Sequence, residues 1–393
     1  MLSEMKPTLI NNRKIQIQVI TVTSLDALVP YAEQWDQLAL QAPQRLPMLS
    51  SAWVMAYLEH CLNPDEKWKC YLATTLDSQL IGVLPIVIKP HSIWHSFFLT
   101  LHTPWDWHTR SGDLLAESGM ERLILQAFLD TLRKDFGHRF ILEMKGVRGN
   151  SPTLMALSHT IPGWVPLIRQ EAPGGFIPVT GTLEQFQKKL STKFKSNLRY
   201  SFKKLVQMPG FAITFLTQSG IDSLSLSRFF ELEASGWKGK IGTAIEYSSN
   251  LKSFYYTLAK ELAKRKWLEV HLLEAEQNLI AGHFAVRFGS ALIIPKIAYD
   301  EAYSKFSPGS ILFERIIERA FEEESCIEIN MLSDAEWFNR WKMEWSIYYQ
   351  ISLFPKHPAP LILGKMPKIL YKKLSKIRWL RHFYQRFAKL FRS

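Results

Sequence analysis

Ser307, Pro308, Gly309 and Ser310 stand where a strand ends and a helix begins, and that placement can hold an anion. A helix start leaves backbone N–H groups without partners and carries the positive end of the helix dipole, so a phosphate or carboxylate can rest against Gly309 and Ser310. The string alone is not specific, because Ser is an ordinary N-cap and Pro an ordinary first-turn residue. Groups able to move protons cluster around it in sequence: His283, Lys296, Tyr299, Asp300 and Tyr303, with Glu231 and Glu233 just ahead of Trp237 and Lys238.

The elements that must position these groups are legible as periodicities. Leu268 to Ala275 and Leu279 to Phe288 read as two strands joined by a tight turn at Glu276, Gln277 and Asn278, and Ala291 to Tyr299 as a third after Gly289. From about Gly309 to Glu324, apolar Ile311, Leu312, Ile316, Ala320 and Phe321 fall on one face of a helix, and Cys326 to Met331 follows as a strand. Three antiparallel strands, an anion-binding helix start, the helix and one further strand form the core order of the GNAT acyltransferase fold.

The strings Gly236-Trp237-Lys238-Gly239-Lys240-Ile241-Gly242-Thr243-Ala244-Ile245, Lys296 to Glu301 and Ser307-Pro308-Gly309 also resemble the CelD-like branch of the GNAT superfamily, which is related to the Fem-type peptidoglycan aminoacyltransferases. The resemblance is close over residues 180 to 350 and looser before them. It implies an acyl-CoA-dependent N-acyltransferase, with acetyl-CoA as the expected co-substrate, no metal, and an amine-bearing acceptor of a surface-polysaccharide or envelope pathway. The donor pyrophosphate would sit near Ser307, Pro308, Gly309 and Ser310. In one respect the chain departs from the pattern: where the family has Gly-Asp, two residues, then Tyr-Lys, this chain has Ser333-Asp334-Ala335-Glu336-Trp337-Phe338. Lys342, four residues beyond Phe338, could substitute for the lost lysine from the same face of a helix.

N-acyl transfer from a thioester needs an amine stripped of its proton, a donor to the developing oxyanion and a group to protonate the leaving thiolate. Asp300 could orient the acceptor amine or take its proton, and Tyr303 could donate to the thiolate; a strand-end turn residue and a packed aromatic are equally good readings of the two. Glu233 and Glu231 are further base candidates. His283, single in an apolar strand, reads first as a core residue. Trp237, Lys238 and Lys296 are candidate substrate contacts, with core packing the other reading of Trp237. Lys296 and Tyr299 are an odd number of positions apart and face opposite sides of a regular strand. No HExxH, paired-Cys, Walker A or GxGxxG pattern occurs, so neither a metalloenzyme, an ATPase nor a dinucleotide enzyme is indicated.

At 393 residues the chain can form two or three domains, and its 47% hydrophobic fraction is that of a globular protein. No segment has the apolar length of a membrane span and Met1 to Lys14 has no signal-type run, so a cytoplasmic location is expected. Cys61, Cys70 and Cys326 are isolated, which suggests buried thiols rather than disulfides or zinc ligands. The two halves repeat one order of elements. Lys67-Trp68 opens a strand that turns at Asp77-Ser78-Gln79, as Lys266-Trp267 opens one that turns at Glu276-Gln277-Asn278; a helix precedes each hairpin, and a helix then a strand follow (Met120 to Phe136 into Phe140 to Met144; Gly309 to Glu324 into Cys326 to Met331). The expected fold is therefore α/β, a tandem duplication of a GNAT-like domain with mixed sheets flanked by helices. Residues 1–180 form an N-terminal domain with a degenerate donor site on the acceptor side, 181–354 the domain with the donor site, and 355–393 a tail. The loop Thr103 to Gly112 lacks a Ser-Pro-Gly equivalent, and its Trp105, Asp106, Trp107, His108 and Arg110 could read a sugar or peptide; a packed aromatic loop with solvated polar tips reads equally well.

Charge is uneven along the chain. The net charge is +12, but residues 355–393 hold eleven Lys and Arg and no acid, which leaves +1 for the rest. In that tail Met366, Ile369, Leu370, Leu374, Ile377, Leu380, Tyr384, Phe387 and Phe391 recur at helical spacing between basic residues, the pattern of a helix lying on an anionic membrane surface; docking on the body or on RNA are the other readings. Lys188 to Lys204 reads as a second basic helix, with Leu190, Phe194, Leu198 and Phe202 on its packed face. A solvated face is its plain reading, and a positive rim for a phosphate-bearing substrate the functional one. A peripheral acyl-CoA-dependent N-acyltransferase acting on a small or sugar-linked amine is thus the first expectation. The alternatives are a Fem-type enzyme using aminoacyl-tRNA, the one case where nucleic acid would be a partner, and a silent scaffold of a membrane assembly.

Overall fold

A computed structural model of the chain describes residues 16–89, 99–217 and 220–365; the side chains of residues 237, 238, 363 and 364 are not described, and the basic helix expected beyond residue 365 lies outside the described residues. Fifteen strands build two sheets: β1 Gln18–Val22, β2 Lys67–Thr74, β3 Leu80–Lys89, β4 Leu99–His102, β5 Leu115–Ala116, β6 Phe140–Arg148, β7 Trp164–Gln170, β8 Gly174–Pro178, β9 Ala212–Thr217, β10 Leu268–Ala275, β11 Asn278–Phe288, β12 Ala291–Tyr299, β13 Glu328–Asn330, β14 Glu344–Ser346 and β15 Tyr348–Pro355. The first sheet runs β1-β2-β3-β4-β6-β15-β7, with β5 also on β3; the second runs β14-β8-β13-β12-β11-β10-β9.

The duplication is visible in the pairing. In each sheet four strands are antiparallel in chain order, and the fourth then pairs in parallel with the next, β4 with β6 and β12 with β13, across a connecting helix. The helices are Glu121–Phe136 and Pro308–Glu322, each amphipathic, with Ile124, Leu125, Phe128, Leu129 and Leu132 on the buried stripe of one and Ile311, Leu312, Ile316, Ile317 and Ala320 on that of the other. The division at 180/181 is corrected by the strands themselves. β8, from the end of the first half, pairs with β13 in the second sheet, while β15, from the end of the second half, lies between β6 and β7 in the first. Each sheet is completed by a strand from the other half, so no single cut separates them.

Local sequence accounts for most element ends. Ser50, Ser191 and Ser248 accept from the backbone N–H three residues on and start their helices, and Thr182 and Asp222 form capping boxes with Gln185 and Ser225. One expected helix is divided. Leu190 is extended and Ser191 caps afresh, so Lys188 and Lys189 belong to the Leu183–Lys189 helix and the longer basic helix is Thr192–Val206. The β10–β11 hairpin turns on Glu276 and Gln277, both at positive φ (53° and 65°), as a two-residue turn requires.

The halves share a core. The Ser51–His60 helix packs on the Ser249–Lys264 helix, with Trp53 edge-on to Phe254 at 6.1 Å, and Arg265 Nε reaches Asp36 Oδ2 at 2.6 Å. Between the sheets, Arg148 on β6 pairs with Glu328 on β13 at 2.8 Å, both side chains buried. Arg148 also donates to the Gln44 carbonyl and to Ser346 Oγ. Such a pair stabilises only when its other polar atoms are satisfied, and here Asn330 Nδ2 donates to Glu328 at 2.7 Å. Among the described residues no helix is long and apolar enough to cross a membrane.

Candidate active site

β12 is the strand on which the site is built. It pairs with β11 along its length, but with β13 only through Ala291, Ile293 and the residue between, so Ile294 to Tyr299 diverge from β13 and open a gap in the sheet. At its end Asp300 opens a 3₁₀ turn, Glu301–Phe306, and Ser307 takes a left-handed conformation (φ 49°) before the Pro308–Glu322 helix. Ser307 Oγ makes no capping bond, and Ser310 N donates back to Ser307 O at 2.9 Å. The N–H left over at this helix start is that of Gly309. A Cβ at Gly309 would meet nothing nearer than the Tyr299 side chain at 3.8 Å, so the turn has room in front of it. Lys240 forms an ion pair with Glu301 and brings the Trp237–Lys240 segment to this turn.

The face of β12 toward the first half carries Lys296. Its Nζ lies 3.6 Å from Glu233 Oε1 and 5.5 Å from the ring centre of Tyr255, which is fully buried. Glu233 Oε2 accepts from Ile245 N at 3.0 Å. Burial, with the Glu233 and Asp106 charges behind it, raises the Tyr255 phenol well above its ordinary value and keeps it protonated. Tyr255 Oη meets His108 Nδ1 at 3.2 Å, and His108 comes from the first half. The loop carrying it is rigid: Asp106 Oδ1 accepts from the N–H of His108 and of Thr109 at 2.7 and 2.6 Å.

That loop also marks the main difference between the two copies. β4 and β5 lie on the same strand, β3, and the chain between them, residues 103–114, leaves the sheet just where β12 leaves β13 in the other copy. It fills the gap: Thr103 N donates to Glu143 O, Gly112 N to Lys145 O and Ser111 Oγ to Gly146 O. The second copy alone keeps the divergence open.

The candidates from the sequence separate accordingly. Glu233 and Lys296 come together, both buried, on the face of β12 toward the first half. Asp300 Oδ1 accepts from Ala302 N at 2.9 Å and so caps the 3₁₀ turn, while Tyr303 Oη donates to Glu276 Oε2 at 2.8 Å and ties that turn to the β10–β11 hairpin. His283 lies on the opposite face of the sheet, 2% exposed, with its ring 6.2 Å from that of His271 and 6.4 Å from that of Phe313. Burial, and then the charge of His271, push its pKa well below the ordinary histidine value. The side chains of Trp237 and Lys238 lie outside the described residues. Lys342 does not replace the absent lysine from a helix face. Phe338 is buried against Trp337 and Trp345, and Lys342 ends the short Glu336–Trp341 turn at φ 53°. Tyr255 escaped sequence reading because Phe254, Tyr255, Leu258 and Leu262 form an ordinary apolar helix stripe.

Residues 192–343 match the family model described as an acetyltransferase (GNAT) domain, and no curated protein matches the chain. Among solved structures, FemX superposes with a TM-score of 0.57 at 11% identity, over 88% of this chain and all of that one. A conserved protein of unknown function from Bacteroides thetaiotaomicron VPI-5482 gives 0.53 at 12% identity, over 86% of this chain and 99% of that one. The C-terminal domain of a putative lysylphosphatidylglycerol synthetase from Agrobacterium fabrum gives 0.51 at 9% identity, over 87% and 96%. At these identities the likeness is one of fold. The second half of the chain thus matches a GNAT domain, it is joined to a second sheet of the same strand order, and the two together share the fold of these structures.

Proposed function

We propose that the protein is an acyl-CoA-dependent N-acyltransferase of the CelD-like branch, with acetyl-CoA as the expected donor and an amino group of a small or sugar-linked molecule of cell-surface polysaccharide or envelope synthesis as acceptor. The observation that carries this reading is the open divergence of β12 from β13 directly ahead of the Ser307–Gly309 turn, inside the segment that matches the GNAT domain. The donor pyrophosphate would rest on Gly309 N–H and Ser307 Oγ, and its pantetheine arm would enter the divergence toward Lys296. The acceptor amine then attacks the thioester carbonyl from the side of the first half, the amide C–N bond forms as the C–S bond breaks, and the leaving thiolate takes up the proton that the amine gives up. The Lys296 ammonium, held by Glu233, is placed to stabilise the developing oxyanion, and the His108 imidazole, oriented by Tyr255, is the group that takes the amine's proton. Asp300 and Tyr303 hold the turn rather than take part in the transfer.

Calorimetry with acetyl-CoA and longer acyl-CoAs tests the donor, with Gly309→Glu as the control. The site of the new Cβ is open, so the variant should fold, and its carboxylate would face the pyrophosphate. Two unit charges about 4 Å apart near a protein surface repel by about 4 kcal/mol, roughly a thousandfold in affinity. Unchanged acyl-CoA affinity in a folded variant removes this turn from the site.

A Fem-type use of aminoacyl-tRNA is favoured by one feature. The Thr192–Val206 helix packs beside the 301–306 turn and the Pro308–Glu322 helix, and its Lys193, Arg199 and Lys203 are exposed with no ion pair among the described residues. Tighter binding of aminoacyl-tRNA than of any acyl-CoA would establish that reading. Peripheral membrane attachment through the tail is also proposed. The described chain is tied down to its end, with Lys356 N donating to Gly163 O and His357 stacked on His138. The truncation that tests the tail therefore removes 366–393, and it should abolish co-sedimentation with anionic vesicles; equal sedimentation of both forms excludes the tail as anchor.

A further inference from the structure

Arg110 is held in a costly backbone conformation. Its φ is 61°, a left-handed backbone that an arginine pays for by roughly 1–2 kcal/mol. The surroundings enforce it. Arg110 N donates to Asp106 O at 2.9 Å and Gly112 N to Lys145 O at 2.8 Å, and any Cβ at Gly146 would come within 2.0 Å of the Arg110 carbonyl oxygen. Gly146 N in turn donates to Glu171 Oε2 at 2.7 Å.

What this scaffold presents is a guanidinium over the indole of Trp107, 5.5 Å from the ring centre, while Trp107 is itself 71% exposed. The guanidinium is partly withdrawn from water, which lowers its pKa; the charges of Asp334, Tyr255, Tyr348 and Asp106 act the other way without cancelling the shift. Asp334 and Asp106 are its acidic neighbours, yet neither forms an ion pair with it among the described residues, and Asp106 spends Oδ1 on the loop backbone. A desolvated guanidinium without a carboxylate partner, beside the Tyr255–His108 contact and under an exposed aromatic face, is suited to an anion that arrives with a ligand.

We propose that Arg110 binds an anionic group, a carboxylate or a phosphate, on the amine acceptor, whose apolar body lies against Trp107. This rests on the reading that the cleft between the halves receives an amine acceptor, and it narrows that acceptor to an acidic amine. The test is calorimetry on the full-length protein with D-glucosamine, glucosamine 6-phosphate and muramic acid, which share an amino sugar and differ in carrying no anion, a phosphate or a carboxylate. Wild type should bind at least one of the two acidic sugars about tenfold or more tightly than glucosamine, as a charge-assisted hydrogen-bond pair implies. Whichever is preferred identifies the anion.

Arg110→Met should bring the three affinities together, Arg110→Lys should restore part of the preference, and both should melt like wild type and bind acetyl-CoA as wild type does. Equal affinities in wild type, a preference that survives in Arg110→Met, or no binding of either acidic sugar at millimolar concentration overturns the proposal. Should acetyl-CoA fail to bind while the Arg110-dependent preference is present, the donor reading falls and this one stands.

Discussion

Replacing His283 by Leu should stabilise the protein, and more so in acid. His283 is 2% exposed, its Nδ1 has no hydrogen-bond partner, and the nearest rings are those of His271 and Phe313. An unsatisfied buried polar atom costs about 1–3 kcal/mol, and exchanging the imidazole for a Leu of comparable size returns no more than about 1.5 kcal/mol as imperfect packing. A net gain of about 1 kcal/mol is expected at pH 7.5. Acid enlarges it. Burial, and next the His271 charge, hold the His283 pKa well below its ordinary value, so as pH falls the unfolded chain takes up a proton that the fold refuses. Below an unfolded pKa near 6.5, wild type therefore loses about 1.4 kcal/mol per pH unit from this residue, and the variant does not. At pH 5 the difference should reach about 3 kcal/mol. Urea unfolding of both proteins at pH 7.5 and pH 5 measures it. A variant no more stable at pH 5 than at pH 7.5 relative to wild type refutes the argument from burial. A folded variant that loses turnover would return His283 to the chemistry from which its position on the far face of the sheet removes it.

Two further changes probe the join and the site. Glu328→Ala leaves the Arg148 guanidinium buried without a carboxylate, against Ser346, the Gln44 carbonyl and the Phe176 ring, and should cost about 3–5 kcal/mol in urea unfolding; a loss below 1 kcal/mol would mean that water reaches the gap. Asp300→Asn keeps a cap for Ala302 N and should leave stability and turnover near wild type, whereas Glu233→Gln takes the carboxylate charge away from Lys296 and should lower turnover on the order of a hundredfold at unchanged acyl-CoA affinity. Steady-state kinetics on the two variants decides between the carboxylates, and the reverse ranking would make Asp300 the working one.

Much of the second half could be read from its residues because its signals are local. Alternation and a two-residue turn define β10 and β11, and the apolar stripe from Ile311 to Ala320 defines the helix behind the anion turn. The repeat was legible for the same reason. What stayed hidden depends on partners far apart in the chain. Nothing in Gly174–Pro178 or Tyr348–Pro355 says which sheet will take it, because any extended apolar segment can add to either edge, and the exchange is settled by the sheets themselves. Asp300 and Tyr303 belong here too: the groups that engage them, the Ala302 N–H that donates to Asp300 and the Glu276 carboxylate that accepts from Tyr303, come from a tight turn and a hairpin whose side-chain geometry no spacing rule predicts. Tyr255 looked like core and is core, and its hydroxyl acquires a role only through His108, 147 positions away.

The two copies differ in one loop, residues 103–114, and the proposed function assigns that loop two effects. In the second copy β12 runs unbroken for nine residues and parts from β13 after Ile293. In the first, the equivalent strand breaks after His102, and residues 103–114 are laid along β6 through Thr103, Ser111 and Gly112, which closes the gap a donor would need. Between those bonds Asp106 fixes the loop's outer arc, which carries Trp107 and Arg110 and brings His108 to Tyr255 of the second half. Exchange of β8 and β15, with the Arg148–Glu328 pair between the sheets, then holds that arc opposite β12. In the proposed function, a donor groove on one copy and an acceptor wall on the other thus both trace to one loop of twelve residues on a duplicated fold.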